Sequence, residues 1–302
     1  MDVLYTMLAI LGSMAAALVV LFKALGKPDA AGTWLPPREN AAKRACELWF
    51  LGYGVVWILA FGAIVVFQLY EAFDARAYLV VCGGLASPLL LQPFLAPWVT
   101  GDERRPLSER YSLKANVWLL IFSFVGNYWY THYFYSVLRA KYTMPSVRLN
   151  NVPIPMYFAT HFYFCFYHCL SNAALRKVRT MFKPSARRAV FVCAAVVAMA
   201  YLTAFMETLT IASFPYYSFE DRDAAYTVGS AFYGIYFLVS FPMFARIDET
   251  PPGAVDAQTH TLEQALLEVG ASSMLVLCLL DFVRLGLRIP FTMAIPETFL
   301  HG

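Results

Sequence analysis

Apolar runs of near-uniform length, separated by short polar punctuation, dominate this chain. They cover about residues 3–22, 48–70, 77–99, 115–137, 154–173, 189–211, 226–245 and 266–286. Each is close to the roughly 20 residues that carry an α-helix across a bilayer. The pattern predicts an all-α, polytopic transmembrane bundle of about eight spans. Polar stretches from Gly26 to Glu47, with "WLPPRENAAKR", and from Arg246 to Glu263, with "RIDETPPGAVDAQTHTLE", carry prolines that end helices and read as linkers. Two other connections, "YTMPSVRLNNVPIP" (142–155) and "SFPYYSFEDRDAAY" (213–226), mix prolines, aromatics, amides and acids and read as ordered caps.

Composition strengthens this picture. Of 302 residues, 60% are hydrophobic and only 14% charged, which excludes an ordinary soluble domain and makes the lipid bilayer the main partner. No repeat, nucleotide-binding loop or low-complexity tail interrupts the single helical domain, and no nucleic-acid partner is expected. The net charge of +3 is uninformative, but its placement is not: segments 23–47, 101–114, 174–188 and 246–264 hold 16 of the 23 basic residues. Lys and Arg accumulate on the cytoplasmic side, so these alternate loops are expected there and both termini opposite. Asp2 precedes the first run and Lys23 and Lys27 follow it, so it reads as a retained anchor. The six cysteines fall mostly within apolar runs, where a thiol behaves as a small hydrophobe, and no disulfide framework is expected.

Ionisable groups at membrane depth stand out against this background, because each is expensive there and faces the bundle interior by default. His132 lies late in the fourth run, His161 early and His168 midway in the fifth, Glu207 late in the sixth and Asp281 late in the eighth. Since spans alternate in direction, His132, His161, Glu207 and Asp281 are expected at one depth, with Glu207 about 6 Å from the outer end of its span. His161, Cys165, His168 and Asn172 form one stripe at i, i+4, i+7 and i+11. Structural interhelical bonding, proton relay and metal binding all stay open for this stripe, although neither HExxH nor a Glu-x-x-His pair is present. Glu207, in "AFMETLTIA", has no Lys or Arg within a helical turn, and desolvation favours its neutral form. It is a candidate general acid, or else a neutral interhelical hydrogen-bond donor. Asp281 has Arg284 three residues on as an ion-pair partner.

The stretch "GNYWYTHYF" (126–134) adds aromatics around His132. Tyr128, His132 and Tyr135 share one helix face; Asn127, Thr131 and Phe134 share the next. Part of this enrichment is an interfacial aromatic belt.

The blocks "VGNYWYTHYFYSVLRAKYTMPSVRLNNVP" (125–153), "THFYFCFYHCLSNAALRKVR" (160–179) and "AFMETLTIASFPYYSFEDRDAAYTVGSAFYGIYFLVSFPMFARIDE" (204–249) closely resemble the cycloeucalenol cycloisomerase family, as do "RACELWF" (44–50), "YEAF" (70–73) and "ERYSLKANVWLLIFSFVGNY" (109–128). The resemblance implies a membrane domain over 34–288, preceded by an anchor and linker (1–33) and followed by a tail (289–302). It implies a cofactor-independent isomerisation in the endoplasmic reticulum that opens the 9β,19-cyclopropane of cycloeucalenol to give obtusifoliol. An acid must protonate carbon 19, a dry aromatic pocket must tolerate the cation at carbon 9, and a base must take the proton from carbon 8.

Glu207, His132 and His161 are the expected catalytic groups, with the order of acid and base open. Asn127, Tyr128, Trp129, Tyr135, His168, Asn172, Tyr233 and Tyr236 are expected near the sterol, and Asn150, Asn151 or Tyr217 near its 3β-hydroxyl. No metal or cofactor is expected. The alternative is a non-catalytic sterol-binding membrane protein or lipid transporter.

Overall fold

The computed structural model describes residues 3–212, 214–250 and 259–289, apart from the side chains of Tyr130, Thr131, His132 and Ala212. Eight long helices account for most of it: α1 (Val3–Leu25), α2 (Ala41–Val66), α3 (Ala75–Leu95), α4 (Tyr111–Ser136), α5 (Ile154–Met181), α6 (Ala186–Ala212), α7 (Arg222–Phe244) and α8 (Leu262–Gly286). Six of them are long and apolar enough to cross a membrane; α4 and α5 match them in length but carry the polar residues singled out above. The protein is a multi-pass helical membrane protein.

Several helices run past the apolar segments that announce them. α2 begins at Ala41 rather than near 48, and α5 continues to Met181 rather than ending near 173. The extra turns stay helical because their charges find partners. Arg176 on α5 holds Glu47 of α2 at 2.8 and 2.9 Å and Glu249, just after α7, at 2.7 Å through two nitrogens. Lys43 lies 2.9 Å from Glu249, Asn172 donates to Glu47 at 3.0 Å, and Arg176 also reaches the Trp34 carbonyl. Beside this cluster Lys114 of α4 pairs with Asp248 and bonds the His260 carbonyl. Loops expected together on one side of the membrane are therefore bonded to one another, as are Asp29 to Ala31 and the end of α5.

Elsewhere local chemistry sets the boundaries. The Asp74 carboxylate caps α3, Asp221 caps α7, and a Thr261–Gln264 capping box starts α8. α7 opens with a π-helical turn over Ala225–Gly229.

The opposite end carries the caps. Strand β1 (Ala140–Tyr142) pairs antiparallel with β4 (Tyr217–Phe219), tying the two outer connections together. Strands β2 (Arg148–Leu149) and β3 (Val152–Pro153) form a tight hairpin. Its two loop residues, Asn150 and Asn151, both have positive φ, 53° and 61°. A two-residue turn with both centres left-handed matches strand twist, and Asn tolerates that conformation where most residues do not. The core between the two ends is aromatic: Trp118, Phe122, Phe164, Phe237, Phe241 and Phe244 are all buried.

Candidate functional site

Between α2, α3, α4, α5, α6 and α7, beneath the strand caps, lies a cavity of about 680 Å³. That is within the range of about 300–1,000 Å³ typical of small-molecule sites. Aromatic rings make most of its wall, including Trp57 and Phe61 of α2, Tyr163, Phe166 and Tyr167 of α5, and Tyr233 and Tyr236 of α7. Ile58, Val65 and Met206 line it and are also exposed on the outer surface, so the space opens sideways between α2 and α6.

Glu207 projects into this cavity from α6. Its carboxyl oxygens both lie 3.1 Å from the Tyr233 hydroxyl, which bonds across from α7. Among the described residues no Lys or Arg lines the cavity, so the carboxyl has a phenol for a partner and no countercharge. Tyr217, on β4 outside the spans, closes the cavity from above; its hydroxyl meets the Met156 sulfur at 3.1 Å. Burial first, and the Glu207 carboxyl after it, hold the Tyr217 phenol above its usual range.

Asn127 also faces the cavity, with its side chain shared between the Ser123 carbonyl and Thr160. Next to it Gly126 lets Tyr236 close in: a Cβ there would sit 2.9 Å from the Tyr236 ring, whose hydroxyl donates to the Gly126 carbonyl.

The structure thus gathers Glu207, Asn127, Tyr217, Tyr233 and Tyr236 around one space. Other candidates lie elsewhere. Asn172 belongs to the ion cluster at the opposite end through Glu47. His168 is enclosed by Trp118, Phe241 and Phe244, with Nδ1 on the Phe164 carbonyl and Nε2 on Ser240 Oγ, each at 2.9 Å. His161 is fully buried beside the cavity-lining Thr160 but does not line the cavity; its Nε2 meets Asn116 Oδ1 at 3.1 Å, and its Nδ1 has no hydrogen-bond partner among the described residues. The stripe on α5 is therefore split among three different neighbourhoods. The His132 side chain lies outside the described residues.

Asn150 and Asn151 form the hairpin turn, Asn150 donating to the Tyr128 carbonyl while the Asn151 carbonyl accepts from Tyr135. These bonds fasten the cap to the end of α4 and engage the Tyr135 hydroxyl, while the Tyr128 ring stacks on Phe124; neither tyrosine lines the cavity. Trp129 is half exposed on the outer surface of α4. Asp281 takes the ion pair with Arg284, at 2.8 Å. Sequence reasoning passed over Tyr163 and Tyr167, because two more tyrosines on an aromatic helix look like packing. Their i, i+4 spacing was the only available signal.

The fold and this space define a class: a polytopic helical membrane protein with an aromatic cavity lined, among the described residues, by a single carboxyl group. No family model matches the chain, and no solved structure matches it. A curated protein does: cycloeucalenol cycloisomerase from Arabidopsis thaliana is 44% identical over 259 residues, covering 84% of this chain and 89% of that protein. The chain belongs to the cycloeucalenol cycloisomerase family.

Proposed function

We propose that this isomerase opens the 9β,19-cyclopropane of cycloeucalenol to form obtusifoliol, with Glu207 as the proton donor. The observation that carries the reading is a carboxyl facing an aromatic cavity that no Lys or Arg among the described residues lines. Such a carboxyl keeps its proton until a reaction takes it. Glu207 gives that proton to carbon 19; the electron pair of the carbon 9–carbon 19 bond makes the new C–H bond and leaves a cation at carbon 9. Faces of Trp57, Tyr163 and Tyr167 stabilise the cation without adding to it, and the apolar wall keeps water away. The Tyr233 hydroxyl then stabilises the carboxylate by hydrogen bonding. Loss of the carbon 8 proton forms the 8(9) double bond and conserves all atoms. His132 and His161 are the base candidates from sequence, and the His161 Nδ1 has no hydrogen-bond partner among the described residues. The reading carries with it a location in the endoplasmic reticulum membrane.

The test is sterol analysis after expression in cells supplied with cycloeucalenol. Wild type is expected to yield obtusifoliol, and Glu207→Gln, which keeps the bond to Tyr233, to lose about 10²- to 10⁴-fold in turnover while staying folded. Cycloeucalenol bound but never converted by wild type would overturn the reading in favour of a non-catalytic sterol-binding protein.

A further inference from the structure

Tyrosine hydroxyls around the cavity are not equivalent. Those of Tyr78, Tyr217, Tyr233 and Tyr236 are occupied, by the Tyr70 carbonyl, the Met156 sulfur, Glu207 and the Gly126 carbonyl respectively. Tyr163 and Tyr167 also line the cavity; both are half-buried, and among the described residues no hydrogen bond within the protein holds either hydroxyl. Both lie one turn apart on α5, with rings stacked at 6.2 Å. Packing on Trp57 at 4.6 Å holds the first ring and packing on Phe237 at 6.1 Å the second. Both phenols are within electrostatic reach of Glu207. A half-buried phenol that lines the cavity and has no bond within the protein is open to a polar atom that arrives with a ligand.

We infer that Tyr163 and Tyr167 bind the 3β-hydroxyl of the sterol and thereby set the cyclopropane against Glu207. The inference rests on the proposed activity for the identity of the ligand. Substrate geometry supports it: the hydroxyl is on ring A, and the cyclopropane is fused to ring B at carbons 9 and 10, carbon 10 being shared with ring A, so the anchor and the acid must lie near one end of the same ligand. The Tyr163, Tyr167, Tyr233 and Glu207 cluster meets that demand, while the side-chain amide of Asn127, also in the wall, is already bonded within the protein. A hydroxyl donating to one phenol and accepting from the other would satisfy all three oxygens.

The test compares binding of cycloeucalenol with binding of its 3-deoxy analogue to purified protein, alongside product analysis on the same preparation. Wild type is expected to bind the hydroxylated sterol about tenfold more tightly, the equivalent of one to two neutral hydrogen bonds. The double variant Tyr163→Phe with Tyr167→Phe keeps both rings and is expected to bind the two ligands equally. A merely structural role would weaken both ligands alike and leave the preference in place, as would an anchor elsewhere in the cavity; either result overturns the inference. Failure of the activity has a separate signature, since wild type would then bind sterol and make no obtusifoliol.

Discussion

Histidine 168 shows how a polar residue at membrane depth can belong to packing. Both ring nitrogens are bonded and aromatic rings enclose it, among them Trp118, Phe122, Phe164, Phe237, Phe241 and Phe244. His168→Ala leaves Ser240 without its side-chain partner and opens a void, so we expect a loss of about 2–4 kcal/mol. It should appear as a lower melting temperature in detergent, with turnover per folded molecule largely retained. A collapse of turnover without loss of stability would give His168 a part in the chemistry. Glu207 and His168 look alike in the sequence, as lone polar residues in apolar runs. They differ in what surrounds them: a cavity for one, a filled core for the other.

Among the elements, the cap hairpin and the ion cluster make opposite demands on substitution. Asn150 and Asn151 both have positive φ, so Asn151→Gly is expected to be nearly neutral and Asn151→Val to lose about 1–2 kcal/mol, measured by thermal unfolding. Equal losses for Gly and Val would mean that the side chain, not the backbone, matters there. In the cluster, Arg176 faces Glu47 and Glu249 together. Arg176→Met leaves two carboxylates close to each other and is expected to lose about 3–5 kcal/mol; adding Glu47→Gln should restore part of that.

The same cluster has a pH signature. Burial raises the Glu249 carboxyl, but hydrogen bonds and charge from Arg176 and Lys43 outweigh it and leave its pKa below the ordinary value. A depressed folded pKa stabilises fully above the unfolded value, about 4.3 for Glu, and is lost as the pH falls through the lower folded value. Wild-type melting temperature should therefore drop below about pH 4.3, and Glu249→Gln should show a shallower drop. An identical acid profile in the variant would remove Glu249 from the pH dependence. These elements were only partly legible in sequence: "LNNVP" carries a turn signal, whereas nothing in "RKVR" says that Arg176 points back between two acids.

Across the whole molecule, the bonded loops define two ends. Segments 26–40 and 182–185 belong to one, and the β1–β4 and β2–β3 caps to the other. Single cysteines placed at Asp29 and at Ser218, in a protein whose native thiols are replaced, should label from opposite sides of sealed vesicles. Labelling of both from one side would break the alternating topology. All eight helices were announced by apolar runs; α4 and α5 fall outside the six that are long and apolar enough to cross a membrane, because they also carry the polar groups. The sideways mouth between α2 and α6 suits a ligand dissolved in the bilayer, since a sterol can reach Glu207 without leaving apolar surroundings.

Helix number, membrane residence, family and the identity of Glu207 as an unusual carboxyl were all readable from the linear chain. These depend on composition, on spacing along a single helix and on blocks of similarity, none of which needs a neighbouring helix. Which polar groups meet did not follow from the chain. Depth bookkeeping expected His161 and Glu207 at one level, and that fixes height along the membrane normal but not rotation about each helix axis. Rotation is set by packing, through Gly126 admitting Tyr236, Trp57 against Tyr163 and Phe237 against Tyr167. That packing sent His168 and Asn172 into the core and the ion cluster, and left Glu207 with Tyr163, Tyr167 and Tyr233 around the cavity.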